Sequence, residues 1–148
     1  MNDFSIERLT SENISGVAEL EELCFSLPWS KKALELLCNG ENVGFVALDG
    51  EKRVVAYGGM VCVLDEGQIT NIAVHPDFRR RKIGEQIVSA LLGYGEEKGI
   101  SLYSLEVRES NQAAISLYQK LGFISVGNRK NFYSNPSENA IIMIKNIG

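Results

Sequence analysis

The sequence contains few of the residues that hold disulfide-bonded or metal-bound proteins together. Its three cysteines, Cys24, Cys38 and Cys62, are widely separated, no CxxC pair occurs, and His75 is the only histidine. Scattered cysteines in odd number argue against a disulfide framework, and a structural zinc site needs four such ligands at short spacings. We therefore predict no bound metal, and free thiols that suit a reducing compartment.

Long apolar runs and an excess of positive charge are also missing. No run approaches the roughly 20 residues of a membrane span, and Met1 to Phe4 lack the basic and apolar regions of a signal peptide. We expect a cytoplasmic protein without a membrane partner. The formal net charge is −4, whereas nucleic-acid-binding domains are usually basic, so we expect no direct contact with nucleic acid. The 148 residues, 45% of them hydrophobic, predict one domain over 1–148, as a monomer or weak dimer.

The pattern of apolar residues and turn signals predicts the order strand, two helices, three strands, helix, strand, helix, two strands. We expect Leu23 on the buried face of the first helix, and a bulge or close backbone approach at Gly58-Gly59. The last two strands are predicted over 123–126 and 140–144, with a polar loop over 128–139 between them. This order indicates an α/β (α+β) fold built on one mixed sheet.

A cationic segment lies between an apolar strand and a helix that starts at Ile83. Four consecutive cations, Arg79 to Lys82, end this loop. The first N–H groups of a helix have no internal partners and the helix dipole favours anions there, so the segment suits a phosphate or pyrophosphate. Such a cluster is alternatively a solvated surface. Cations at a helix start cost about 0.3–1 kcal/mol each, whereas a charge-assisted hydrogen bond contributes about 1.5–3 kcal/mol, which favours the anion site.

Three polar residues later in the chain are candidates for chemistry, and each also has a structural interpretation. Glu106 lies near the end of a strand, where alternation places it on the opposite face from Leu105 and Val107; it is either a base or an exposed glutamate paired with Arg108 or a lysine. Helical spacing makes Tyr118 a core tyrosine or a proton donor. Asn111 is placed to cap the following helix.

Several motifs resemble the GNAT superfamily of acyl-coenzyme A N-acyltransferases over nearly the whole chain. In that family an Arg/Gln-x-x-Gly-x-Gly/Ala turn after the fourth strand cradles the pyrophosphate of coenzyme A, and residues 79–84 match it except that Lys82 replaces the first glycine. Within the superfamily the chain is most similar to the ribosomal-protein alanine N-acetyltransferases. The segments that carry this similarity are Pro28-Trp29-Ser30, Leu105-Glu106-Val107-Arg108, Ser110-Asn111, Ile115-Ser116-Leu117-Tyr118, Leu121-Gly122-Phe123, 129–133 and 140–143.

The resemblance implies a fold, a reaction and a set of site residues. The implied fold is a GNAT-like mixed, mostly antiparallel sheet of about seven strands flanked by about four helices. The implied reaction moves an acetyl group from acetyl-CoA to the α-amine of a ribosomal protein's terminal alanine, with Glu106 as base and Tyr118 as acid. Trp29 and Tyr133 are implied to wall the peptide site. The residues implied to bind the cofactor are Ile72, Ala73, Val74, Arg79, Arg80, Arg81, Lys82, Ile83, Gly84, Glu85 and Asn111.

Other functions are left open by the residues themselves. One is acetylation of a small amine or polyamine, although no cluster of carboxylates forms an evident pocket for a polycation. Another is a non-catalytic module that binds acyl-CoA, which the presence of both Glu106 and Tyr118 disfavours. The pKa of an α-amine is near ~8 and that of lysine near ~10.4, so deprotonation at pH 7 costs about 1.4 and 4.6 kcal/mol respectively. The absence of a strong base therefore favours an α-amine as the acceptor.

Overall fold

A computed structural model of the protein describes residues 4–79 and 82–147. Arg80 and Arg81, two of the four predicted cations, lie outside the described residues. The order of helices and strands along the chain is the order that the apolar pattern predicts.

The described strands form one sheet of seven, in the order β1-β2-β3-β4-β5-β7-β6. Every neighbouring pair is antiparallel except β4 and β5, which are parallel. The prediction of a mixed, mostly antiparallel sheet is confirmed. The strands are β1 Phe4–Arg8, β2 Val43–Asp49, β3 Val54–Val63, β4 Glu66–Val74, β5 Leu102–Arg108, β6 Ile124–Tyr133 and β7 Glu138–Asn146.

The helices cover both faces of this sheet. They are α1 Ile14–Cys24, α2 Lys31–Leu34, which continues as a 3-10 turn over Glu35–Cys38, α3 Ile83–Glu97 and α4 Gln112–Lys120. The buried side chains of α1 and α2 pack in one core with residues of β2, β3 and β4, and those of α3 and α4 pack in a second core that extends to β5 and β7. The two cores lie on opposite faces because successive residues of a strand point to opposite sides.

Two predictions about single segments are wrong. The segment 128–139 is not a polar loop, because β6 runs to Tyr133 and only residues 134–137 turn into β7. As an edge strand, β6 bonds to one neighbour and leaves most of its side chains in solvent, so it needs no apolar alternation. Leu23 is 55% exposed, because the apolar face of α1 is narrower than the sequence predicts.

A β-bulge is present near Gly59, but its extra residue is in β4. Met60 pairs with Ile69 and Gly58 pairs with Ile72, so Gly59 lies opposite both Thr70 and Asn71. The predicted close approach at this glycine is confirmed, since an added Cβ would stand 2.6 Å from Leu37 Cδ1 and 2.8 Å from Thr70 Oγ1. The bulge interrupts the alternation of β4 and turns the side chain of Asn71 toward α1, where it bonds to a carboxylate.

Candidate active site

The strands β4 and β5 separate from one another in the middle of the sheet. Their pairing is confined to Glu66 with Leu102, Gly67 with Tyr103 and Gln68 with Ser104. Beyond Gln68, β4 stays paired with β3 as far as Val74, and β5 stays paired with β7 as far as Arg108. The backbone of β4 that faces β5 therefore has no strand partner from 69 to 74 within the described residues. This is the interrupted ladder that a role for Ile72, Ala73 and Val74 in binding requires.

Ile72, Ala73 and Val74 already contact other parts of the protein. Ala73 packs in the core under α1, and Ile72 and Val74 pack against the core under α3. The carbonyl of Val74 accepts hydrogen bonds from Arg79 Nε at 3.1 Å and from Cys24 Sγ at 3.6 Å. These side chains thus pack within the fold, and the binding role of the three residues stays a prediction.

The start of α3 leaves backbone N–H groups without a partner in the helix. Lys82, which occupies the motif's first glycine position, adopts the left-handed conformation with φ 61° and ψ 23°. A lysine is disfavoured there by about 1 kcal/mol, whereas glycine adopts this conformation freely. The first N–H to bond back to Lys82 O is that of Gln86, at 3.2 Å. The N–H groups of Ile83, Gly84 and Glu85 precede this bond and lie outside the helical ladder.

Gly84 is not required by the packing of the protein. A Cβ added at this position would lie 3.7 Å from the nearest atoms, which belong to the side chains of Leu117 and Val74. This is ordinary van der Waals distance, and the backbone of Gly84 does not adopt a positive φ. An alanine side chain would therefore fit at this position without displacing a described neighbour.

Two further residues of the predicted cofactor site use their side chains within the protein. Arg79 bonds to the carbonyl of Val74 and places its Nη2 atom 4.0 Å from Cys24 Sγ. Glu85 forms an ion pair with Lys120, 2.9 Å between Oε1 and Nζ, and the hydrogen bond from that lysine lowers the pKa of Glu85. Glu85 is thus available to a ligand through its backbone N–H.

Asn111 caps α4 as predicted. Its Oδ1 atom accepts a hydrogen bond from the backbone N–H of Ala114 at 3.2 Å. This bond satisfies one of the free donors at the start of the helix. Contact between Asn111 and a cofactor stays a prediction.

Glu106 stands at the narrow end of the opening. It lies on the face of β5 opposite Leu105 and Val107, as alternation predicts, and its side chain is 15% exposed. The alternative of an exposed glutamate paired with Arg108 or a lysine does not describe it, because Glu106 Oε2 pairs with Arg129 Nε at 3.3 Å. Its Oε1 atom accepts from Gln68 Nε2 at 3.4 Å. Since Gln68 is the last residue of β4 paired with β5, the carboxylate marks the point where the strands separate.

Tyr118 is both a core residue and a candidate donor. The residue is 6% exposed, and its ring packs edge to face on Phe123 with centroids 5.7 Å apart. Its hydroxyl bonds to none of the described residues. Among those residues Thr70 Oγ1 is the one side-chain polar atom that is both fully enclosed and without a partner, so the Tyr118 oxygen is not fully enclosed. Burial, assisted by nearby Tyr133, raises the pKa of Tyr118 well above its usual value.

Tyr133 is the last residue of β6 and lies near Tyr118 and Glu106. Burial, and next the charge of Glu106, raise the pKa of Tyr133 to about 12. The guanidinium of Arg108 lies 4.5 Å from the centroid of its ring. Tyr133 is therefore close to both Tyr118 and Glu106, and the roles of these three residues in a site stay predictions.

The segment 25–30 between α1 and α2 carries Trp29, which is half-buried against the core under α1. In the same segment, Ser26 Oγ donates to the carbonyl of Asn135 at 2.6 Å. This bond joins the segment to the turn over 134–137 that follows Tyr133. The two aromatic residues predicted to wall a peptide site thus belong to segments that contact one another.

Sequence reasoning missed two residues whose bonds hold the segments around Trp29 and Tyr133. Arg108 pairs with Glu138 at 3.1 Å and donates to the carbonyls of Pro136 at 3.0 Å and Ser134 at 3.2 Å, which holds the turn after Tyr133. Glu21 is fully buried in α1. The signal for Glu21 was its place four residues after Val17, on the apolar face of a helix.

Residues 4–79 and 82–147 lack two kinds of feature. This part of the chain has no helix that is long and apolar enough to span a membrane. It also has no group of three or more histidine, cysteine, aspartate or glutamate side chains placed to hold a metal ion.

Comparison with known proteins gives relatives that match nearly the whole chain. The chain is 37% identical over 145 residues to the ribosomal protein bS18-alanine N-acetyltransferase of Salmonella typhimurium, covering 97% of this chain and 96% of that protein. It is 34% identical over 141 residues to the enzyme of the same name from Escherichia coli, covering 94% of this chain and 95% of the relative.

Solved structures agree with these relatives. The crystal structure of the ribosomal-protein-S18-alanine N-acetyltransferase from Escherichia coli superposes with a TM-score of 0.89 at 33% identity, covering 98% of this chain and 94% of that one. Ard1 from Thermoplasma volcanium superposes with a TM-score of 0.88 at 25% identity, covering 99% of each chain. The model of the acetyltransferase (GNAT) family matches residues 14–123. The chain therefore belongs to the GNAT family of acetyltransferases.

Proposed function

We propose that this acetyltransferase moves the acetyl group of acetyl-CoA to the α-amine of the N-terminal alanine of a ribosomal protein. The observation that carries the chemistry is the opening between β4 and β5, which has Glu106 at its narrow end. The acceptor is proposed from the relatives named for this reaction, which are 34% and 37% identical to the chain. Because that acceptor is a ribosomal protein, we place the reaction in the cytoplasm.

The cofactor is proposed to lie across the start of α3 and along the free edge of β4. The backbone N–H groups of Ile83, Gly84 and Glu85 would receive its pyrophosphate, with Arg80 and Arg81 supplying charge. The backbone of Ile72 and the two following residues would bond to the pantetheine arm and the acetyl oxygen. The left-handed backbone of Lys82 supports this placement, since the lysine adopts a conformation that glycine favours.

The reaction is a direct displacement at the thioester carbon. The amine nitrogen attacks the carbonyl carbon, the C–N bond forms, the C–S bond breaks, and the thiolate of coenzyme A leaves. Glu106 receives the proton of the amine, directly or through a water molecule. Its place where the strands separate supports this role, because an acetyl group bound along β4 would lie within the same opening.

Tyr118 is proposed to act on the leaving sulfur. Burial raises the pKa of Tyr118, so its hydroxyl keeps its proton across the neutral range. The same shift makes full transfer to a thiolate of pKa near ~8.5 more uphill than it would be for an exposed phenol. The hydroxyl therefore stabilises the sulfur mainly by donating a hydrogen bond as negative charge develops, and passes on its proton late. Its freedom from other bonds within the described residues supports this role.

The charges around the site favour a peptide over a polyamine. Arg129 lies 3.3 Å from Glu106, and the guanidinium of Arg108 lies 4.5 Å from the ring centroid of Tyr133. Each of these arginines pairs with a carboxylate of the site, Arg129 with Glu106 and Arg108 with Glu138, so neither carboxylate is free to hold a polycation, whereas a peptide presents one amine and neutral backbone groups. Trp29 and Tyr133 would contact the first residues of such a peptide.

The proposal is tested by incubating the protein with acetyl-CoA and a panel of amines and mapping the products by mass spectrometry. The panel contains a peptide with the N-terminal sequence of the ribosomal protein, the same peptide with a blocked N-terminus, spermidine and an aminoglycoside. We expect one acetyl group on the terminal residue of the free peptide and none on the blocked one. Acetylation of spermidine or the aminoglycoside in preference to the peptide would overturn the proposed acceptor.

A further inference from the structure

Glu21 is a buried carboxylate that the proposed reaction does not use. Its side chain is fully buried in α1, and it is the one charged residue so enclosed among those described. Its Oε1 atom accepts from the backbone N–H of Trp29 at 2.8 Å. Its Oε2 atom accepts from Asn71 Nδ2 at 2.9 Å and from the hydroxyl of Tyr57. The three donors come from three separate parts of the chain.

This arrangement needs a carboxylate. A carboxylate offers two oxygens that only accept hydrogen bonds, so it can serve three converging donors, whereas an amide of the same shape carries a donor at one of these positions. Burial, together with the adjacent charge of Glu21, raises the pKa of Tyr57 far above its usual value, so Tyr57 remains a donor. A buried charge is costly without such partners, and the bonds therefore hold the three donors at one point.

The donors belong to two parts of the candidate site. One is the segment 25–30, which carries Trp29, and the other is β4 with its neighbour β3. Trp29 lies in the segment 25–30 that contacts the turn after Tyr133. Asn71 lies in the bulge of β4, directly before Ile72, the first of the three residues proposed to bond to the cofactor. Tyr57 pairs with Ala73 across β3 and β4. The Glu21 carboxylate thus joins the segment proposed to contact the acceptor peptide to the strand proposed to bind the acetyl group.

We propose that Glu21 is a positioning residue that fixes the segment 25–30 against β4 and so sets where the acceptor amine meets the thioester. The inference rests on the proposed function for the identity of the acceptor. The bonds of Glu21 themselves are independent of that identity.

The test compares Glu21→Gln with Glu22→Gln, which is the same substitution at the exposed neighbour on the same helix. In Glu21→Gln the KM for the acceptor peptide is expected to rise about fivefold, the effect of one lost hydrogen bond, while the KM for acetyl-CoA stays within about twofold. Amide hydrogen exchange over residues 25–30 is expected to become faster in the free enzyme. The control variant should match the wild type in all three measurements.

Several outcomes would overturn the inference. Unchanged exchange and an unchanged peptide KM would show that Glu21 does not position the segment. A parallel change in both KM values, with a lower melting temperature, would show a purely structural role. If Glu21→Gln does not fold, Tyr57→Phe removes one of the three donors and is judged by the same measurements. If the wild type acetylates no peptide, the proposed function fails, while the exchange measurement still decides the role of Glu21.

Discussion

Substitution of Tyr118 by phenylalanine separates the two roles that the structure gives this residue. The change removes one hydroxyl and keeps the ring, so the edge-to-face contact with Phe123, 5.7 Å between centroids, is retained. The hydroxyl makes no hydrogen bond to the described residues, so none is lost. We therefore expect the free energy of unfolding to change by less than about 0.5 kcal/mol, below the roughly 1 kcal/mol of an average lost hydrogen bond.

The expected effect on turnover is much larger. Proton donation in the transition state contributes about 10²–10⁴ in rate, which is about 2.7–5.4 kcal/mol of transition-state stabilisation. The dissociation constant for acetyl-CoA should stay nearly constant, because the bond to sulfur strengthens only as charge develops there. Single-turnover rate, calorimetric affinity and melting temperature measured on one preparation distinguish these effects.

Tyr103→Phe provides the matched control. Tyr103 is also a buried tyrosine, but its hydroxyl donates to the carbonyl of Leu92 at 3.1 Å. Its loss should therefore lower stability by about 1 kcal/mol and leave turnover unchanged. If Tyr118→Phe keeps the wild-type single-turnover rate, the reasoning about the donor is refuted, and the thiolate leaves as the anion or is protonated by water.

Three further predictions concern the base, the cofactor turn and the tyrosines. Glu106→Gln should lower turnover more at pH 7 than near pH 9, where an α-amine of pKa ~8 is already neutral; an equal loss in a pH-rate profile would assign Glu106 to positioning. Gly84→Ala should leave the melting temperature unchanged or slightly higher, since the new Cβ stands 3.7 Å from its neighbours and alanine favours helix by about 1 kcal/mol. Its affinity for acetyl-CoA by calorimetry should nevertheless fall about tenfold or more, and equal affinity would show that no phosphate approaches there. The pKa values of Tyr57 and Tyr118 are raised in the folded protein. The stabilisation that each protonated tyrosine gives is therefore fully present below the pKa of an unfolded tyrosine, near ~10, and is lost as the pH rises above it, by up to about 1.4 kcal/mol per pH unit. Urea titrations above and below about pH 10 measure this loss, which Tyr57→Phe should reduce, and a flat profile would contradict it.

Local features of the fold were predictable where a few neighbouring residues decide them. The start of α4 follows from Asn111, whose side chain satisfies a free N–H three residues later. The end of α3 follows from Gly99, which adopts φ +78°. Glu106 lies on the face that alternation predicts, because the period of a strand is set by its own backbone.

Features that depend on distant parts of the chain were not predictable in the same way. The extent of β6 depends on its pairing with β7, since Arg129 pairs with Ala140 and Tyr133 with Glu138. The partner of Glu106, Arg129, is on that same strand, so the alternatives of Arg108 or a lysine did not include it when 128–139 was predicted to be a loop. The roles of the cofactor-binding residues were derived from resemblance, and they stay predictions together with those of Trp29 and Tyr133.

The sequence by itself determined the order of the elements and the start of α3 at Ile83, because these depend on periodicity and on residues close along the chain. Only the tertiary structure decided the separation of β4 from β5, the bulge at Thr70 and Asn71, and the enclosure of Glu21. Glu21 and Asn71 are 50 residues apart, and neither has a local signal that names the other. Their bond exists because the packing of α1 on the bulged strand removes both groups from water and leaves each as the partner of the other.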